Sequence, residues 1–176
     1  MHPILQKLQR GDRRSIGRSN EVVAEVLARP ALFRRVLEGL ENKAPVLRMR
    51  AADAIEKITS RRPELLGAHK RKLLEIAGRT NQQEVRWHVA LMIPRLPLSS
   101  RDRAVAADIL RDYLRDKSSI VKTFAMQGLA DLAIQEAALK ATIVPLLEEL
   151  MTIGTPAIRA RGRRLLRRLN QERAKA

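Results

Sequence analysis

The sequence contains no cysteine, and this absence removes several kinds of chemistry at once. A disulfide framework, a thiolate zinc site and a cysteine nucleophile are all excluded. No apolar run approaches the roughly 18 to 20 residues that a membrane-spanning helix needs, and the first residues lack the apolar core of a secretory signal. We therefore expect a protein without a transmembrane segment, with the cytoplasm as its default location. The basic residues of the first 20 positions keep a transit peptide open as an alternative.

Aromatic side chains are nearly as scarce. They make up 2% of the 176 residues, namely Phe33, Trp87, Tyr113 and Phe124. The core of a domain of this length must then be built from Leu, Ile, Val and Ala, which suit close-packed helices, whereas β-rich domains carry more aromatic residues and threonine. The composition therefore predicts an all-α protein.

The sequence also lacks a convergent set of catalytic groups. Its three histidines, His2, His69 and His88, fall on different predicted elements and form no HExxH pair. The phosphate-binding motif GxxxxGK[ST] is absent, and the eight glycines are scattered. Most acidic residues stand beside Lys or Arg, as they do on a solvated helix surface. We therefore expect no enzymatic activity, no catalytic residues, no metal site and no cofactor.

Positive charge, by contrast, is abundant and unevenly distributed. The formal net charge is +16, and 26 residues are arginines. Residues 154–176 hold eight Arg or Lys against one Glu, residues 1–18 hold five against one Asp, and residues 99–153 hold seven against eight acidic residues. A basic surface attracts anionic partners, whether nucleic acid, acidic protein or anionic lipid, without selecting among them.

One segment recurs four times with its register preserved. The copies occupy residues 44–58, 83–96, 118–132 and 155–169, at offsets of 38, 36 and 37 residues. Their apolar positions are spaced by four, four and three, which places them on one face of a helix. The apolar columns are Leu47, Val85, Val121 and Ile158; Ala51, Val89, Ala125 and Gly162; Ile55, Ile93, Leu129 and Leu166; and Ile58, Leu96, Leu132 and Leu169.

A basic column follows the first apolar one and consists of Arg48, Arg86, Lys122 and Arg159. We interpret it as a structural feature between repeats, with a ligand-binding ladder as the alternative. Each copy is preceded by a second apolar-periodic segment, at residues 31–40, 64–77, 101–114 and 136–151. A unit is therefore two antiparallel helices in about 37 residues, and units must stack because neither helix can bury its apolar face alone.

The recurring segments read LRMRAADAIEKI, VRWHVALMIPRL, VKTFAMQGLADL and IRARGRRLLRRL, and in this pattern the chain resembles the HEAT-repeat family. Pro145, in TIVPLLEELM, is similar to the proline that the family often carries inside a first helix. The resemblance implies a right-handed α-solenoid of about four and a half antiparallel helix pairs, forming one domain over residues 1–176. We divide it into an irregular leading unit at 3–29, repeats at 31–60, 64–96, 101–133 and 136–170, and a basic tail at 171–176.

In HEAT-type solenoids the second helices line the concave side, so the resemblance implies a binding surface opposite their apolar faces. Its predicted centre is Trp87, His88, Leu91 and Phe124, and its predicted flanking cations are Arg50, Arg95, Arg161, Arg164 and Arg168. An apolar centre with a charged rim suits a protein partner that carries an acidic or amphipathic segment. The alternative is that these side chains pack repeat against repeat.

A non-catalytic scaffold that binds a protein partner is therefore the favoured function. The alternative is a protein that binds the backbone of DNA or RNA without sequence preference, which the basic stretch RARGRRLLRRLNQERAK favours. A third hypothesis rests on a resemblance to HEAT-like alkylpurine DNA glycosylases, which extends to the scaffold only. The sequence identifies neither the partner nor the oligomeric state.

Overall fold

The computed structural model describes residues 1–9 and 15–173, and within these ranges it contains ten α-helices and no strand. The predicted all-α class is confirmed for this part of the chain. Residues 174–176 of the predicted basic tail lie outside the described residues. The chain divides into two compact units, Met1–Pro97 and Leu98–Ala176.

The first unit holds six of these helices and four short 3-10 turns. The helices are α1 (Pro3–Gln9), α2 (Ser19–Ala28), α3 (Phe33–Glu38), α4 (Pro45–Arg61), α5 (Lys70–Arg79) and α6 (Gln83–Met92). The 3-10 turns lie at Pro30–Leu32, Gly39–Glu41, Pro63–His69 and Ile93–Arg95.

Prolines explain where several of these elements begin and end. Pro45 occupies the first turn of α4, where its missing N–H costs nothing. Pro94 has the opposite effect, because it cannot donate to the carbonyl four residues earlier. The helix predicted to continue to Leu96 therefore ends at Met92, and Ile93–Arg95 form a 3-10 turn.

The long helix α4 is the centre of the first unit. It packs against α1, α2, α3 and α6, and its apolar side is fully buried. Gly39 lets the chain after α3 approach it closely, since a Cβ atom at this position would lie 2.8 Å from the Cβ of Ala51. Of its neighbours in this packing, α2 lies in the predicted leading unit (3–29) and α6 in the predicted repeat at 64–96.

The second unit holds four of the described helices. They are α7 (Ser100–Tyr113), α8 (Ser119–Gln135), α9 (Ala137–Ile153) and α10 (Pro156–Arg173). A capping box between Ser99 and Asp102 starts α7, and the Ser118 hydroxyl accepts from Val121 N–H at the start of α8. Pro145 lies inside α9. Helix α8 packs against α7, α9 and α10.

The predicted apolar columns coincide with the core. Every column residue is buried except Leu166, which is half-buried on α10. Leu47, Val85, Val121 and Ile158 each lie near the start of their helix and point to its packed side. The spacing of four, four and three therefore identifies the buried face of α4, α6, α8 and α10.

Three of the four basic-column residues donate to backbone oxygens near the start of their helices. Arg48 donates to the carbonyls of Asn42 and Lys43 at 2.8 and 3.0 Å, and its Nε donates to Gln82 Oε1 at 2.8 Å. Arg86 donates to the Thr80 carbonyl at 2.7 Å, and Arg159 to the Gly154 carbonyl at 2.8 Å. These guanidinium groups therefore tie α4, α6 and α10 to the connections that precede them.

Candidate functional site

A cleft of about 580 Å³ opens on the second-helix side of the first unit, where α4 and α6 lie next to the segment before α2. We call it the α4–α6 cleft. Its lining combines apolar, charged and imidazole side chains, and it includes three of the residues predicted from the sequence. The lining residues are Ser15, Ile16, Met49, Arg50, Asp53, Glu84, Trp87 and His88.

Trp87 lies at this cleft and is half-buried. Its ring meets the imidazole of His88 in an edge arrangement, with the centroids 5.7 Å apart and the planes at 62°. Within the described part of the chain, the indole N–H makes no hydrogen bond. A buried Trp N–H usually has a hydrogen-bond partner, and this one has none among the described residues. The indole therefore offers a ligand both an aromatic surface and a hydrogen-bond donor.

His88 lies deeper, and burial lowers the pKa of its imidazole below the usual value. The carboxylates of Asp53 and Glu56 raise the pKa in part, and the Lys57 ammonium lowers it again. Its Nδ1 atom is buried without a hydrogen-bond partner among the described residues. Burial therefore favours the neutral form of this imidazole.

Arg50 differs from its predicted role as an exposed flanking cation. Its side chain is 0% exposed, and its guanidinium donates to the carbonyls of Leu8 at 2.9 Å and Ser15 at 3.1 Å. Gly17, with a φ of 58°, lies against this group, since a Cβ atom there would be 3.0 Å from the guanidinium. Arg50 therefore anchors the N-terminal segment to α4 and forms the base of the cleft.

The two carboxylates of the cleft differ in their surroundings. Asp53 accepts from the Ser19 hydroxyl at 2.5 Å and from Lys57 Nζ at 2.8 Å, so its charge is balanced by its own helix. Glu84, in the first turn of α6, makes no hydrogen bond or ion pair with any described residue. A carboxylate in the first turn is favoured by the helix dipole, but that interaction leaves its oxygens open to a ligand.

Leu91 follows on α6, and Arg95 ends the 3-10 turn after it. Leu91 is half-buried. Arg95 donates to the Glu56 carboxylate at 2.6 Å, to the Glu56 carbonyl at 3.0 Å and to the Thr59 hydroxyl at 3.0 Å. The guanidinium predicted to flank a partner is therefore engaged with α4.

In the second unit, the predicted residues form a chain of contacts between α8 and α10. The guanidinium of Arg161 lies 5.8 Å from the centroid of the Phe124 ring and donates to Gln127 Oε1 at 3.1 Å. Gln127 donates to Asp131 at 3.0 Å, and Arg168 pairs with the same carboxylate. Phe124, Arg161 and Arg168 therefore hold two second helices together.

Three other arginines of α10 are exposed and have no partner among the described residues. They are Arg163, Arg164 and Arg167, of which only Arg164 belongs to the predicted surface. Positions 163 and 167 are one helical turn apart, and 164 lies beside them. We call these three residues the α10 arginine cluster.

Five of the nine predicted residues lie in the first unit and four in the second. Arg50, Trp87 and His88 line one cleft in the first unit, while Phe124 and Arg161 are in contact in the second. That all nine share one surface remains a prediction. Sequence reasoning missed Ile16, Met49 and Glu84 as parts of the cleft. The spacing of Glu84 could have identified it, because it lies four residues before His88 and seven before Leu91 and therefore shares their helical face.

Neither a metal-binding cluster nor a membrane-spanning helix occurs in the described ranges. Within residues 1–9 and 15–173, no three His, Asp or Glu side chains are grouped as a metal would require. None of the helices described there has the length and apolar character needed to cross a bilayer.

No protein-family model, curated protein or solved structure matches this chain.

Proposed function

We propose that this chain is a non-catalytic binding protein of HEAT-like repeats, stacked as a right-handed α-solenoid of about four and a half helix pairs. Support comes from the spacing of its side-chain contacts. Many long-range hydrogen bonds join residues 33 to 39 positions apart, close to one repeat. Two examples are the Arg95–Glu56 contact in the first unit and the Arg168–Asp131 contact in the second, which join residues 39 and 37 positions apart.

The function we propose is to hold an amphipathic segment of a protein partner on the face of the second helices. The α4–α6 cleft carries this proposal, because it gathers unused binding groups. Asp53, Arg50 and Arg95 are engaged with other parts of the chain, but Trp87 offers an indole face and an N–H group, and Glu84 offers a carboxylate. Aromatic side chains in a partly apolar cleft are typical centres of protein interfaces.

Leu91→Glu tests this function, because Leu91 follows Trp87 by one turn on the same face of α6. We expect peptides selected from a displayed library on the wild-type protein to lose binding by about tenfold or more on this variant, as for a central interface residue. Val105→Glu, at a 49% exposed position on the first helix α7, is the control and should bind as the wild type does. Both variants should melt near the wild-type temperature.

Two results would contradict the proposal. If Leu91→Glu unfolds, Leu91 belongs to the packing of the repeats. If the library yields no peptide that competes at Trp87, the second-helix face is not a peptide-binding surface.

A second candidate function is favoured by the α10 arginine cluster. Three adjacent guanidinium groups without partners among the described residues suit the phosphates of a nucleic-acid backbone as well as the carboxylates of an acidic segment. Backbone contacts of this kind carry no sequence preference and weaken steeply with salt. A salt-dependent duplex titration separates this function from protein binding.

A further inference from the structure

One charged side chain in the lining of the α4–α6 cleft makes no hydrogen bond or ion pair with a described residue. The molecule carries a formal net charge of +16, yet this side chain, Glu84, is acidic. Glu84 has no partner among the described residues, whereas the cations near the cleft are engaged. Lys57 pairs with Asp53 at 2.8 Å, and the Arg50 guanidinium is buried against backbone carbonyls.

We propose that the α4–α6 cleft binds an arginine side chain of the partner segment. The inference rests on the proposed function and names the residue type that the cleft selects. The guanidinium lies over the Trp87 indole and donates to the Glu84 carboxylate, while the methylene stem packs on Met49 and Ile16.

Each of these contacts has a physical basis in the cleft. Tryptophan is the best aromatic partner for a cation, and a planar guanidinium stacks on it more readily than an ammonium does. A carboxylate without other donors can accept two parallel N–H bonds from arginine. Burial disfavours the charged form of the His88 imidazole, which would repel a cation. The free indole N–H can bind a carbonyl of the partner's backbone.

The size and openness of the cleft favour a side chain on an extended segment over a free small molecule. A volume of about 580 Å³ exceeds what one arginine side chain fills, so neighbouring apolar residues of the segment can enter with it. Ile16, which is 44% exposed, and half-buried Met49 give those residues an apolar contact. The chemistry therefore fits an amphipathic segment in which arginine alternates with aliphatic residues.

A titration with three matched amphipathic peptides tests this inference. One peptide carries arginine, the second carries citrulline, which keeps the shape without the charge, and the third carries glutamate. Because Trp87 is the chain's one tryptophan, its indole N–H gives a single assigned NMR signal for the cleft. We expect a saturable shift of this signal with the arginine peptide and binding weaker by about tenfold with the citrulline peptide, as for the removal of a charged hydrogen bond.

Variants of the protein link the effect to Glu84. Glu84→Gln should weaken the arginine peptide by about tenfold and leave the citrulline peptide unchanged. Glu149→Gln, an exposed carboxylate on α9 in the second unit, is the charge-matched control and should bind as the wild type does. Equal binding of the arginine and citrulline peptides, or unchanged binding by Glu84→Gln, would overturn the inference.

The outcomes also separate this inference from the function on which it rests. If the citrulline or glutamate peptide binds at Trp87 as tightly as the arginine peptide, the cleft binds protein segments without selecting arginine. If none of the three peptides shifts the Trp87 signal and library selection also fails, the proposed function falls together with the inference.

Discussion

Arg50 carries a permanent charge inside the protein, and its backbone partners make that burial tolerable. Replacing it with methionine keeps the length of the side chain but leaves the carbonyls of Leu8 and Ser15 without this donor. We expect Arg50→Met to lower the free energy of unfolding by about 2 to 4 kcal/mol, measured by urea denaturation. Arg61→Met, at an exposed position on the same helix, should stay within about 0.5 kcal/mol. Equal effects would show that Arg50 is accessible in solution.

His88 should make stability depend on pH. Burial lowers its pKa in the folded chain below the unfolded value of about 6.5, so the unfolded chain binds the proton first as the pH falls. The free energy of unfolding should therefore decrease as the pH falls below about 6.5, by at most about 1.4 kcal/mol per pH unit. Urea melts of wild type and His88→Gln at about pH 7.5 and about pH 5.5 measure this contribution, which the variant should lack.

His69 provides the comparison for that experiment. Burial and the nearby Arg34 also lower its pKa, but it is less deeply buried and packs against Phe33 with the ring centroids 5.6 Å apart. His69→Gln should therefore remove a smaller part of the pH dependence. If neither variant flattens the dependence, both imidazoles have ordinary pKa values.

At the scale of the helices, the turn that follows α6 shows how two nearby residues contribute differently to the free energy of unfolding. Ile93 is fully buried, and Ile93→Ala should cost about 2 to 5 kcal/mol by leaving a cavity. Arg95→Ala should cost about 1 to 2 kcal/mol, because it removes the half-buried pair with Glu56 and the bond to Thr59. Both costs should exceed that of Arg61→Ala, measured by thermal unfolding. An effect of Arg95→Ala as small as that of Arg61→Ala would show that the contact with α4 is not formed.

The helices could be predicted from the sequence because their apolar period is local. The positions Leu47, Ala51, Ile55 and Ile58 define the buried face of α4 without knowledge of any neighbour. The role of Arg50 could not be predicted in this way, because its partners lie 42 and 35 positions earlier in the chain.

The candidate site was only partly predictable for the same reason. Trp87 and His88 stood out by residue type and do line the cleft, but apart from Glu84 the groups that complete it come from α4 and from the segment before α2. Arg95 was predicted to flank a partner as a free cation, because nothing near it in the sequence indicates the carboxylate of Glu56, 39 positions away. Residue type and register identify a helical face, and only tertiary contacts decide which of its charges are free.

At the scale of the whole molecule, the net charge of +16 attracts polyanions wherever its cations lie, so total charge alone cannot identify a nucleic-acid site. Location can be tested with two variants of equal charge. One replaces Arg163, Arg164 and Arg167 with glutamine, and the other replaces Arg61, Arg71 and Arg101, which are also exposed and without partners among the described residues. Both variants remove three positive charges, so any difference between them reports position.

If the α10 arginine cluster binds a nucleic-acid backbone, the first variant should bind duplex DNA more weakly than the second at low salt. Its plot of log affinity against log salt should also be shallower by about 0.9 for each phosphate that the variant no longer neutralises, because each neutralised phosphate releases condensed counterions. Fluorescence anisotropy across a range of salt concentrations measures both quantities. Equal weakening in the two variants would mean that duplex binding follows total charge only, and absence of binding at low salt would remove the nucleic-acid function. Neither result would bear on the proposed peptide site at the α4–α6 cleft, because its residues Trp87 and Glu84 lie in the first unit and the cluster lies in the second.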